Sequence, residues 1–338
     1  MNFIFSDSGP IRGPAETNSL TDKIRYFLPS FIIFIVSYRI GFYHHVKNTL
    51  NQPLLVLLIL ISINALLIII SAFFGFDVRN DELNIIDRSV GLYSNPNIAG
   101  QICCIGQALS AYFILSKSSK KNIYYIITYF LSLVAAFATF SKAAIIISFL
   151  LIINILFSVK NESGKTFTYY SAFKITIISG MVLVFLNLGS IFKNFSFEQL
   201  YRFQILESFL TGEFTAETTS LRSLLYKEAI SQISSNWLFG YGIGSFDNYY
   251  WGAGTHNEYL QIWGNYGIIG LSFYIMYLFR WFLSTLNLNN STEKSYKNLS
   301  FSLLLITSLA SMVSHTIVSS KQFSLLIGLI FSKFNSSK

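Results

Sequence analysis

The chain has four histidines. One of them, His256, stands where a polar, aromatic stretch gives way to an apolar one beginning at Asn257. An imidazole titrates near neutrality, which suits His256 to take a proton from a hydroxyl nucleophile at a membrane edge. The plainer alternative is a helix-capping or interfacial histidine. His44 and His45 adjoin a weak apolar run, and His315 lies near the end of another, where packing or a polar network is the more ordinary role. A second group is cationic and comes from separate segments: Arg88, Lys142, Arg202 and Arg222. Guanidinium groups offer paired hydrogen bonds to phosphate oxygens and Lys a compact charge, so at one face these residues would bind a diphosphate. Taken singly, each also fits a snorkelling or solvated surface role. Lys142 stands apart because it follows Ser141 between two apolar runs, and charge at membrane depth is costly. The third group is the string from Trp237 to Phe246, in which Gly240, Gly242 and Gly244 permit tight backbone turns and suggest a shaped, substrate-facing loop. There is no P-loop, HExxH, CxxC or dinucleotide fingerprint. Asp247 and Glu258 lack paired metal-ligand spacing and read as solvated acids, so neither a metal nor a cofactor is expected.

Composition dictates what must position these groups. Of 338 residues, 12% are charged, 52% hydrophobic and 17% aromatic. So apolar a chain cannot hide its surface in one soluble core. Apolar runs place membrane spans at 27–46, 53–76, 97–116, 123–140, 141–159, 175–192, 257–283, 299–318 and 322–334, the first and last being the weakest. A hydrocarbon core of about 30 Å needs roughly 20 helical residues, which most of these runs supply or approach. The expected fold is therefore all-α, a polytopic transmembrane helix bundle of about nine spans in one integral membrane domain. A large extracytoplasmic loop runs from 193 to 256. In it Phe197, Leu200, Tyr201, Ile205, Phe209 and Leu210 recur at near-helical spacing, as do Leu221, Leu225 and Ile233. Two amphipathic helices on the membrane surface are expected there, the second capped by Thr219 or Ser220.

The net charge of +8 is spread thinly between apolar runs and forms no stripe, so it sets topology and does not mark a nucleic-acid partner. Lys117, Lys120 and Lys121 hold one short loop in the cytoplasm, Lys160, Lys165 and Lys174 a second, and Arg280, Lys294 and Lys297 a third. The acidic segment around Asp77 to Asp87 and the long loop then face outward. By alternation the N-terminus also falls outside, against the preference of Arg12, Lys23 and Arg25. Cys103 and Cys104 sit together inside an apolar stretch and read as lipid-buried packing residues, neither a disulfide pair nor a zinc site.

Taken in order, these segments resemble the bacterial O-antigen polymerase and O-antigen ligase family of polytopic glycosyltransferases. Arg88 to Gly100 (RSVGLYSNPNIAG) is similar to the family's N-P-N segment ahead of a membrane helix. Thr139 to Ala144 (TFSKAA) resembles its S-R-small-small turn, with Lys142 in place of Arg. Arg222 to Ala229 looks like the loop helix with a leading Arg, followed by the glycine loop. His256-Asn257-Glu258-Tyr259-Leu260 and Gly267-Ile268-Ile269-Gly270 are similar to the H-N-x-x-L and G-x-x-G elements. Asn265 stands where many relatives carry Glu.

The resemblance implies transfer of a glycan from an undecaprenyl-diphosphate carrier to an acceptor hydroxyl at the periplasmic face of the bacterial inner membrane. The acceptor is another lipid-linked glycan in a polymerase, the reading preferred for this compact chain, or lipid A core in a ligase. A chain-length regulator protein is an implied partner. In this reading His256 is the base, and Arg222, Lys142, Arg88 and Arg202 stabilise the departing diphosphate. A transporter would show repeated blocks and broken helices meeting at mid-membrane, and a scaffold would leave the ordered cations and His256 without purpose.

Overall fold

Long runs of Leu, Ile, Val and Phe can satisfy every backbone polar group in lipid only by forming helices. The computed structural model describes residues 20–47, 49–74, 89–93, 95–116, 122–158, 216–242, 244–246, 255–288, 294–314, 317 and 320–336. These form α1 (Leu20–Val46), α2 (Asn51–Phe74), α3 (Pro96–Leu115), α4 (Asn122–Ala138), α5 (Lys142–Ser158), α6 (Ala216–Ser235), α7 (Glu258–Leu286), α8 (Lys294–Ser311) and α9 (Lys321–Ser336), with no strand among the described residues. The chain is a helical membrane protein. Helices α2, α3 and α7 are long and apolar enough to cross a bilayer, and Leu28–His44, Ile123–Ala138 and Lys142–Ser158 are shorter apolar helices. The expected span at 175–192 and the first half of the long loop lie outside the described residues.

One compact unit holds α2 to α5, the last turn of α7 from Trp281, and α8 as far as Ala310. Within it α3 packs against α2, α4 and α5 and is buried on nearly every side. Cys103 and Cys104 are therefore buried within the protein and not against lipid, and Cys104 Sγ reaches Ala144 O at 3.4 Å. Hydroxyl and amide pairs stitch the helices: Gln107 Nε2 donates to Ser148 Oγ at 2.7 Å, Ser110 and Thr128 hydroxyls meet at 3.0 Å, and Asn154 Nδ2 donates to Ser302 Oγ at 2.9 Å. Where apolar surface is no sorting force, such bonds and small-residue contacts hold helices together. Gly100 is a close approach to α5, since a Cβ there would stand 2.6 Å from Ala144 Cβ and 2.8 Å from Thr139 Oγ1. Gly100→Val is expected to force α3 from α5 at a cost of about 1–3 kcal/mol, seen as a lower unfolding temperature in detergent.

The other unit comprises α1, α6, α7 as far as Arg280, and the chain from Ser311 through α9. Here α1 and α9, the weakest spans in the sequence, pack along each other. Gly41 abuts Ser332 and Leu329, and Gly328 abuts Phe34 and Ser37, so each glycine lets the opposite backbone come close. Helix α8 ends at Ser311, short of the expected 318, and Tyr274 of α7 shares a 2.8 Å hydroxyl contact with Ser311.

Candidate functional site

Helix α6 begins at Ala216, so Thr219 and Ser220 lie inside it and not at its N-terminus. Its apolar face is buried within the protein. Ala229 and Ile233 are buried against Phe246, with Tyr241, Leu260 and Trp263 packed around them, and Leu225 is buried on the same face. One side of α6 thus clamps the glycine loop to the start of α7.

The loop is locked in place by a break in α7. Gly267 has φ 68° and ψ −173°, backbone that interrupts the helix and that a side chain does not tolerate. The break leaves helix carbonyls and an N–H without helical partners, and the loop takes them. Tyr241 N donates to Gly264 O at 2.8 Å, Gly242 N to Asn265 O at 2.9 Å, and Ile268 N to Trp237 O at 2.8 Å. Gly240, with φ 71°, lies so close that a Cβ would meet Gly267 N at 2.5 Å and Gly264 O at 2.7 Å. Gly242 and Gly244 also have positive φ. Asn265 completes the joint: it is buried, and its Oδ1 accepts the Phe246 N–H at 2.8 Å. A Glu here would keep the acceptor that the loop needs. Asn265→Glu is therefore expected to fold, whereas Asn265→Leu, which strands a buried N–H, should cost about 1–3 kcal/mol in thermal unfolding.

His256 stands at the head of α7. Asn257 caps the helix, its Oδ1 accepting from Leu260 N at 3.1 Å while Gln261 N donates to Asn257 O at 3.0 Å. Asn257 thus supplies a side-chain cap to the helix. The buried Thr255 closes the other side: its hydroxyl donates to Asn257 O at 2.9 Å and accepts from Asn257 N at 3.4 Å. Between these two anchors His256 is forced to φ 50°, a conformation uncommon outside glycine. Glu258, read from sequence as a solvated acid, is buried, and its carboxylate accepts the Ile317 N–H at 2.8 Å. Its place in the first turn of α7 adds a favourable dipole term, and the bond ties the chain after α8 to the head of α7.

The second cluster lies in the other unit, where the N-termini of α3 and α5 meet. Asn95 caps α3, accepting from Asn97 N at 2.8 Å, with Pro96 in the first helical position. Ser141 Oγ donates to Asn97 Oδ1 at 3.1 Å and lies 3.4 Å from Ala144 N as the cap of α5. Thr139 is buried, donating to Ala136 O at 2.8 Å and accepting from Ser141 N at 3.3 Å. These bonds turn the chain through Phe140, at φ 50°, and start α5 at Lys142. Two helix N-termini side by side, with Lys142 in the first turn of one, make a field suited to an anion. Upstream, Leu92 N donates to the buried Asn64 Oδ1 of α2 at 2.9 Å, which fixes the segment before the N-P-N cap.

Arg88, Arg202 and His315 lie outside the described residues, and Arg222 is placed only by its backbone within α6. Sequence reasoning missed Thr255 as a bracket for His256 and Glu258 as an anchor. Hydroxyl and carboxylate within two residues of a candidate base were the signal. Comparison with known proteins adds an independent line. Residues 127–275 match the family described as O-Antigen ligase. No curated protein matches the chain. The matched stretch takes in the Ser141-Lys142 turn, α6, the glycine loop, His256 and the break at Gly267, whereas the Arg88 to Gly100 segment of the resemblance lies outside it. Over residues 127–275, a little under half of its length, the chain is similar to the O-antigen ligase family.

Proposed function

We propose that the protein is an O-antigen polymerase that joins undecaprenyl-diphosphate-linked oligosaccharide repeat units at the periplasmic face of the bacterial inner membrane. The observation that carries this reading is local: among the described residues the two non-glycine residues with positive φ are Phe140 and His256. Both fall in the family match, one beside Lys142 and one at the candidate base. Backbone held in a sparsely populated region concentrates where geometry matters to function.

In this mechanism His256 removes the proton from the acceptor hydroxyl as that oxygen attacks the anomeric carbon of the donor sugar. The bond to the carrier diphosphate breaks as the new glycosidic bond forms, so configuration inverts. Lys142, Arg222, Arg88 and Arg202 stabilise the charge that grows on the leaving diphosphate, as fixed positive groups do for a developing anion. The glycine loop and Asn257 face the substrate, and the chemistry needs no metal. Lys142→Ala is expected to slow turnover about 100-fold, while Lys142→Arg, which restores charge and adds a paired contact, retains activity. Turnover of lipid-linked donor by the purified variants checks both.

The polymerase reading is supported by the compact chain and by its departures at Lys142 and Asn265, since the family's polymerases diverge widely. A ligase would use the same donor and deliver it to lipid A core. Deleting the gene separates the two on a lipopolysaccharide gel: one repeat unit on core marks a lost polymerase. Bare core with long carrier-linked chains marks a lost ligase, and unchanged glycan overturns both. A carrier of lipid-linked glycan that catalyses nothing would leave no transfer in the purified protein.

A further inference from the structure

We infer that the turn Trp237-Leu238-Phe239 is a rigid wedge that sits among bilayer lipids at the edge of the hydrocarbon core, anchoring the loop that leads to His256 at the membrane surface. The turn is the most apolar part of the loop, yet its side chains stay out of the protein: Trp237 is 53% exposed, Leu238 37% and Phe239 68%. It is not loose. Trp237 O accepts from both Ile268 N at 2.8 Å and Trp263 Nε1 at 3.1 Å. Gly240 N donates to Asn236 O at 2.9 Å, and Asn236 Nδ2 returns a bond to Gly240 O. Leu238 O and Phe239 N lie directly against Gly267. Three apolar side chains are thus held outward by backbone bonds at a fixed level on α7.

The length of α7 sets that level. Its 29 residues, interrupted at Gly267, are well over the roughly 20 that a hydrocarbon core of about 30 Å needs. The excess belongs to its first third, where Glu258, Gln261 and Asn265 are polar. From Ile268 to Leu286 the helix covers roughly 28 Å, close to the thickness of the core. Gly267 and Ile268, where the turn is fastened, therefore mark one edge of the hydrocarbon. Below that edge Ile269, Phe273 and Met276 form an exposed stripe at helical spacing. The turn is fastened at Gly267 and Ile268, next to the first residue of this stripe, and aromatic side chains are favoured where chains meet head groups. Opposite the face of α6 that packs on the loop, Lys227, Ser231 and Ser234 are exposed and polar, although Ile230 beside them is 51% exposed. The inference rests on the membrane character of α7 and not on the acceptor used.

The test places a nitroxide label on Phe239→Cys in the full-length protein, reconstituted into phosphatidylethanolamine and phosphatidylglycerol vesicles. Collision with oxygen, which concentrates in lipid, is compared with collision with a water-soluble nickel chelate. Phe273→Cys serves as the lipid reference and Ser231→Cys as the water reference, Cys103 and Cys104 being buried. The label at 239 is expected to resemble that at 273, with oxygen collisions several-fold above nickel collisions. Nickel accessibility equal to that at 231 would put the turn in water and overturn the inference. Exclusion of both relaxers would do the same, by showing the turn covered by protein. Should Phe239→Cys fail to fold, Leu238→Cys gives the same reading from the neighbouring position.

Discussion

Gly267→Ala is expected to be the most destabilising single substitution in the loop-bearing unit, lowering stability by on the order of 3 kcal/mol or more. Two penalties act together. Alanine is poorly tolerated at φ 68° and ψ −173°, and its Cβ would fall on the Leu238 carbonyl. If α7 relieved the strain by becoming continuous, Gly264 O and Asn265 O would regain helical partners, and Tyr241 N and Gly242 N would lose theirs. The glycine loop would then detach, and Trp237 O would lose its bond from Ile268 N. Turnover should fall with the unfolding temperature. A Gly267→Ala protein with wild-type melting and wild-type transfer would show that the break in α7 is not what holds the loop.

His256→Ala is expected to reduce transfer by about 10²–10⁴-fold, the usual worth of a positioned base, with little change in the KM for lipid-linked donor. A structural histidine would behave differently, and His256→Gly separates the cases. At φ 50° glycine adopts the backbone without the cost that a side chain incurs, and the bonds of Thr255 and Asn257 remain. The glycine variant should therefore be more stable than the alanine variant while being as inactive. A strained residue whose removal leaves stability intact and abolishes turnover is one kept for function. Loss of stability in step with activity would instead assign His256 to the scaffold.

The membrane helices were legible because burial in lipid demands nothing subtler than a long apolar run. The turn between 123–140 and 141–159 is found at Thr139 to Ser141, where small polar residues interrupt two such runs. Apolar periodicity failed where one helix serves two purposes. The run from 257 to 283 is found as one helix by hydrophobicity, yet its backbone breaks at Gly267 because a second segment supplies the hydrogen bonds that the break exposes. Nothing in the spacing of apolar residues records such a partner. For the same reason α6 looked like a helix for the membrane surface: Leu225 and Ile233 mark an apolar face but not what covers it, and the cover is Phe246 with its neighbours. Glu258 was misread because an acid in an outward segment is usually solvated, and only the fold brings the Ile317 N–H to it. The candidate base and the Lys142 turn were legible because they lie within short motifs whose local bonds connect residues close in sequence.

The most direct test is a transfer assay with the purified protein, an undecaprenyl-diphosphate-linked oligosaccharide and a metal chelator. The account predicts release of undecaprenyl diphosphate in step with lengthening of the carrier-linked glycan, in wild type and not in His256→Ala. An intact donor in the wild-type reaction, with either carrier-linked glycan or lipid A core supplied as acceptor, would contradict it.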